Sequence, residues 1–235
     1  MSKILKRGYI LSDEEEFGSE GIEKLYKARN DLFYLINSGY KIKAASIFVG
    51  NHYLLSERQR MAVVRATSSK EAIKIRKDKE VLCSLEGEKV NIDGFNTIIT
   101  LEVALSSALL LKCMDGTIRD LAGLRGTYRL IDKTQVAIIL ICEKLEQYKV
   151  GSAIFYLDAP VSNSGKLREL ILQISKDFNF KVKVENINNV DSVLEELDNV
   201  ITSDAIILDK CKSTINLNKE IIESNLSNCW FVDFS

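Results

Sequence analysis

Near residue 81 the hydrophobic pattern of this chain changes period, and no other feature limits its possible folds as strongly. Before that point apolar residues recur at helical spacing: Ile22, Leu25, Tyr26, Leu32, Phe33 and Ile36 form one stripe between Ser19 and Asn37. After it, short apolar runs alternate with amphipathic stretches. The runs 89–93, 153–158, 180–185, 200–203 and 229–234 read as buried strands. Helices are expected at 97–107, 134–148, 164–179, 190–197 and 216–225. Such alternation implies right-handed βαβ crossovers and a parallel sheet covered on both faces. The expectation is a small helical domain over 1–80 followed by an α/β domain over 81–235.

Local signals refine both halves. Gly39 is a natural stop for the first long helix, and a second apolar stretch runs from Ile42 to Val49. Ser56-Glu57-Arg58-Gln59 and Ser68-Ser69-Lys70-Glu71 fit the capping box, in which a hydroxyl and a side chain three residues on satisfy free N–H groups at a helix start. In the second half, Met114-Asp115-Gly116 separates the apolar runs 108–113 and 117–120. That is a hairpin signal, and a projecting β-ribbon is expected there.

Composition narrows the function classes. With 46% hydrophobic and 28% charged residues, the chain reads as an ordinary globular protein. No apolar run approaches the roughly 20 residues that span a bilayer, and the first residues lack a signal peptide's apolar core. Five scattered cysteines without a Cys-x-x-Cys pair, and a single histidine, argue against a disulfide framework and against zinc. They suit a cytoplasmic protein with reduced thiols. Residues 1–90 hold 17 Lys and Arg against 13 Asp and Glu, whereas 91–235 hold 15 against 20. A mildly basic front and an acidic back permit a nucleic-acid partner without requiring one.

In an open α/β sheet, ligands bind outside the carboxyl ends of the strands. Asp93 ends the first expected strand, Asp158 ends Ile154-Phe155-Tyr156-Leu157, and Asp204 follows Ile201-Thr202-Ser203. Asp191 opens the helix after the strand 180–185. Taken singly, each is an ordinary turn or cap residue. Together, carboxylates gathered at one low-dielectric edge repel one another unless something neutralises them. Hard divalent cations such as Mg²⁺ or Mn²⁺ do so through oxygen ligands. Asn96 and Asn163 are candidate neutral ligands or substrate hydrogen-bonders.

Asp93-Gly94-Phe95-Asn96 resembles the opening motif of PIN-like nucleases, closest to the NYN branch. "YLDAPVSNSG" (156–165) is similar to that branch's second Asp-ended strand, and "VDSVLEELDNVITSDAIIL" (190–208) to its Asp-led helix and following Thr-Ser-Asp. The similarity runs from residue 89 to the C-terminus, with the three motifs in the same order. The whole chain also resembles an uncharacterised prokaryotic family in which a helical part precedes such a domain. The nuclease resemblance implies a PIN/NYN-like domain with Asp93, Asp158, Asp191 and Asp204 as metal-binding catalytic acids and Asn96 orienting the first. It implies Mg²⁺ or Mn²⁺ as cofactor and RNA, ahead of DNA, as substrate. The hairpin, the stretch 115–129 and Pro160 depart from that family's minimal pattern. Two other functions stay open: an inactive PIN-like module binding RNA or protein, and a phosphoesterase for a small nucleotide. A homo-oligomer also stays open.

Arg119, Arg125 and Arg129 stand among Gly116, Gly123 and Gly126, a composition suited to gripping phosphate. The alternative pairs Arg119 and Arg125 with Asp115, Asp120 or Asp132. Asn163 and Ser164 open a helix and offer a further anion site or a plain cap. Arg58 and Arg65 share a helical face that reads as solvated surface ahead of a phosphate-tracking one, and His52 reads as a packed loop residue.

Overall fold

The computed structural model describes residues 6–81, 84–123 and 126–235. Its first part is helical: α1 (Asp13–Glu16), α2 (Ser19–Asn37), α3 (Ile42–His52), α4 (Glu57–Ala66) and α5 (Lys70–Asp78). The helix starts obey the local signals. Ser56 Oγ accepts from Gln59 N and Gln59 Oε1 accepts from Ser56 N, both at 3.1 Å, completing a capping box. At the next start Ser69, not Ser68, accepts from Ala72 N at 3.1 Å.

The second part supplies β1 (Lys89–Asp93), α6 (Gly94–Leu105), β2 (Leu109–Lys112), β3 (Ile118–Asp120), α7 (Asp132–Gln147), β4 (Ser152–Asp158) and α8 (Ser164–Ile174). It continues with β5 (Lys181–Ile187), α9 (Val190–Leu194), β6 (Val200–Ile201), α10 (Ala205–Lys210), α11 (Leu217–Asn225) and β7 (Trp230–Asp233). β5, β4, β1 and β6 form a parallel sheet in that order. The chain runs outward from β1 through β4 to β5, then crosses back to place β6 on β1's other side. That reversal is a topological switch point, where a crevice opens at the carboxyl edge.

Alternation along the strands separates two faces. Val90, Ile92, Ala153, Phe155 and Leu157 enter the large core with α6, α7, α8 and α11. Tyr156 and Val200 point into a smaller cluster with Val190, Leu194 and Ile207 of α9 and α10. Leu167 and Ile171 anchor α8, which ends at Ile174 in a 3₁₀ turn, short of its expected extent.

Two expectations are corrected. The hairpin forms, but it does not project: Leu109, Leu110, Leu111 and Ile118 are buried. The C-terminal strand does not join the parallel sheet; β7 pairs in parallel with β2, giving a second sheet β3-β2-β7. Burial on both faces explains this. Leu110 and Ile118 pack into the large α/β core, while Leu109, Leu111, Val232 and Phe234 pack against Leu25, Leu32, Val49 and Val63 of the helices. Through this second sheet, the core of the helical part meets the core of the α/β part. A solvated β-ribbon would leave these leucines in water, each at a cost of about 1.5–3 kcal/mol.

Candidate active site

The sequence at the end of β1 builds the first corner of the site. Asp93 caps α6, its Oδ1 accepting from Asn96 N at 3.4 Å. Glycine suits the position after Asp93: a Cβ on Gly94 would lie 2.5 Å from Leu157 Cδ2 and 3.0 Å from Tyr156 O, so a larger residue would push Leu157 aside. Asp93 Oδ2 accepts from Thr202 Oγ1 at 2.8 Å. Asn96 Oδ1 accepts from Ser203 N at 2.8 Å and Ser203 Oγ at 2.9 Å. Helix α6 is thereby tied to the loop that leaves β6. Asp204, next in that loop, caps α10 by accepting from Ile206 N at 2.8 Å.

Asp93, Asp158, Asp191 and Asp204 all line one cavity of about 820 Å³, together with Asn96. Asp93 is 7% exposed. Burial pushes its carboxyl up to about 7, and the facing Asp204 and Asp191 add to the rise against the hydrogen bonds from Thr202 and Asn96. Burial also raises Asp191, with Asp204, Asp158 and Glu195 contributing and Lys210, beyond ion-pair distance, opposing them. Asp158 is raised by burial, partly offset by the Val190 N–H. Among the described residues, none of these four has a basic side chain within ion-pair distance.

Another part of the same cavity is charged but internally neutralised. Arg76 holds Asp115 at 2.5 Å and Asp209 at 2.8 Å, and Arg119 holds Asp115 at 2.5 Å. Burial alone would raise Asp115, but Arg119, Thr117 and Arg76 outweigh it and hold the carboxyl low. Arg119 Nε also donates to Ser203 O at 2.7 Å, and its Nη1 to Arg65 O. Arg119 lines the cavity, but its guanidinium is spent on Asp115 and on the loop that carries Asp204. Its alternative role as an ion-pair partner is the one the structure displays.

The remaining expected binders lie elsewhere. Asn163 and Arg129 line a second cavity of about 480 Å³ with Lys6, Arg7 and Tyr128. Asn163 Nδ2 donates to Tyr128 O at 2.7 Å, and the buried Ser164 donates to Ala159 O at 3.4 Å. Arg125 lies outside the described residues. Arg58 is neither solvated surface nor phosphate contact: it forms an ion pair with the buried Asp13 and donates to Leu121 O at 2.8 Å. His52 is corrected too; it is exposed at the end of α3, against the Phe48 and Tyr53 rings.

Sequence reasoning missed the wall supplied by the helical part, where Ile36, Ile42, Val64, Arg65 and Arg76 reach the cavity. It also missed Asp209. Arg65 belongs to the basic helical face noted from the sequence, but no pattern marks the others or brings any of them to the cavity, because the docking of α5 beside α10 is a long-range event. Ser203 stood in the Thr-Ser-Asp motif, though its bond to Asn96 was not foreseen.

The four aspartates offer oxygen donors without an ion-pair partner among the described residues, which suits a hard divalent cation in chemistry and charge. As they stand, no three Asp, Glu, His or Cys side chains among the described residues converge to hold an ion. A closed protein cage is therefore not what the residues form. An ion that keeps several waters and uses one or two carboxylates, as Mg²⁺ does, fits better.

Residues 82–220 match the model of a domain of unknown function, DUF5616, and residues 24–79 match that of a protein of unknown function, DUF434. An uncharacterized protein of Methanocaldococcus jannaschii is 38% identical over 200 residues, which cover 84% of this chain and 96% of that protein. No solved structure matches the chain. With more than half of its length matched, including every aspartate of the acidic wall, the chain belongs to the DUF5616 family.

Proposed function

We propose that this protein is a metal-dependent phosphodiester hydrolase of PIN/NYN-like type, an endoribonuclease in its simplest form. One observation carries the proposal: four carboxylates at a sheet's carboxyl edge line one cavity, and no described basic residue pairs with them. Mg²⁺ or Mn²⁺ would bind at the wall formed by Asp93, Asp158, Asp191 and Asp204, through one or two of these carboxylates at a time with water filling the rest of its shell. Such an ion, when bound, would lower the pKa of a bound water and offset charge on the scissile phosphate. The protein's own contribution is placement. Thr202 fixes the rotamer of Asp93, and Asn96 and Arg119 hold the backbone of the loop before Asp204. The free thiols of Cys113, Cys142, Cys211 and Cys229 suit a cytoplasmic setting, and no helix among the described residues is long and apolar enough to cross a membrane.

A second reading, a phosphoesterase for a small nucleotide, is favoured by the way the helical part walls the cavity and by the engagement of Arg76 and Arg119 with carboxylates. The test is hydrolysis of a labelled single-stranded RNA oligonucleotide and of a cyclic dinucleotide, with Mg²⁺, with chelator, and with Asp93→Asn. Metal-dependent cleavage of the oligonucleotide, lost in the variant, is the expected result. Cleavage of the dinucleotide alone would move the assignment to the second reading, and no cleavage of either would leave a binding module.

A further inference from the structure

The acidic residues account for only part of the cavity. The helical part contributes Ile36, Ile42, Val64 and Ala72, and α10 adds Ile206. Ile42 and Ile206 are 43% and 56% exposed, and they share this cavity with the half-buried Ile36 and Val64, so the apolar surface here is grouped on one wall. Beside them stand Thr67, Ser68 and Ser69. Each of these hydroxyls makes one bond to its own neighbourhood: Thr67 to Val63 O, Ser68 from Arg76, Ser69 from Ala72 N. Each keeps hydrogen-bonding capacity to spare. A cavity of about 820 Å³ lies within the range of small-ligand sites, which combine apolar walls with a few placed polar groups.

We infer that the helical part supplies a nucleoside subsite. A base lies against Ile42, Val64 and Ile206, its polar edge meets the hydroxyls of Thr67, Ser68 and Ser69, and its sugar leads toward the aspartates. The assignment deepens the hydrolase reading by naming what the substrate presents: an unpaired base, not a stacked duplex. A flat ring gains dispersion contact with branched aliphatic side chains on its faces while keeping its edge for polar groups. A base inside a duplex has both faces covered by its neighbours and its edge already paired. The arrangement also gives the helical part a job separate from that of the carboxylates, which offer charge and no apolar face.

The probes are adenosine and uridine, with ribose as control, titrated by calorimetry and ligand-observed NMR into the full chain without metal. A nucleoside has no phosphate, so its binding is independent of any ion at the carboxylates. At least one nucleoside is expected to bind saturably and roughly tenfold or more tighter than ribose. Ile42→Asp and Ile206→Ser, both at half-exposed positions that tolerate polar side chains, are each expected to lower that affinity roughly tenfold with an unchanged melting temperature. Nucleosides that bind no better than ribose overturn the inference, as does nucleoside binding indifferent to both variants. Mn²⁺ titrated into the same samples reads the acidic wall separately. Nucleoside binding without Mn²⁺ binding sinks the hydrolase reading and leaves the subsite standing; Mn²⁺ binding without nucleoside binding does the reverse.

Discussion

Three aspartates with buried side chains around the second sheet, and the four at the parallel sheet's carboxyl edge, of which only Asp93 is buried, meet two different fates. Around the second sheet each has an arginine. Asp115, with no exposed side chain, lies between Arg76 and Arg119, Asp13 pairs with Arg58, and Asp120 lies 3.8 Å from Arg65. At the carboxyl edge of the parallel sheet, Asp93, Asp158, Asp191 and Asp204 line one cavity, and no described arginine or lysine lies within ion-pair distance of them. The first group consists of internal struts, each charge answered by the protein itself. The second is a set of carboxylates without an ion-pair partner among the described residues, and that difference separates an internally neutralised network from a candidate site within one residue type.

Neutralising an aspartate of each group should break or sharpen the contrast. Asp115→Asn leaves Arg76 and Arg119 buried without their shared counter-charge. It should cost about 3–5 kcal/mol in denaturant unfolding. A loss under about 1 kcal/mol would mean that the network is not the strut described.

Asp93→Asn should act in the opposite direction. Folding raises this carboxyl from 3.8 to about 7, so between those values the folded state binds more protons than the unfolded one. Stability contributed by the protonated form is present below pH 4 and is lost as pH rises toward 7. Metal-free wild type should lose stability over that window relative to Asp93→Asn, with the variant about 1–3 kcal/mol more stable at pH 7. Parallel stability–pH curves would remove Asp93 from the unpaired group. Asp191→Asn, on an exposed side chain, should change metal-free stability by less than about 0.5 kcal/mol. A larger loss would give Asp191 a structural role.

The site was easier to read from the chain than the surface that faces it. An apolar run that stops at an aspartate marks a strand end, and parallel pairing brings those ends to one edge; Asp93 and Asp158 follow from that alone, while Asp204 stands three residues past the end of β6, capping α10. Asp191 follows because its helix returns directly from β5. Arg119 and Asp115, four residues apart, are a pair the sequence offers; the partners of Arg76 and Arg58 had no such signal, since they join residues far apart in the chain whose meeting depends on docking. The destination of β7 was hidden for a related reason: Val232 and Phe234 are apolar enough for either sheet, and only the leucines of β2, buried on both faces, decide between them. The helical wall of the cavity was invisible because Ile36, Ile42 and Val64 fit the same periodicity that any amphipathic helix shows.

The most direct test of the unpaired acidic wall is calorimetric titration of Mn²⁺ into the metal-free protein and into a double variant carrying Asp93→Asn and Asp204→Asn. The swap preserves shape while removing the charge an ion requires. The account predicts saturable binding to the wild type that disappears in the double variant while the fold melts cooperatively. Absence of binding to the wild type, or equal binding to both proteins, would contradict it.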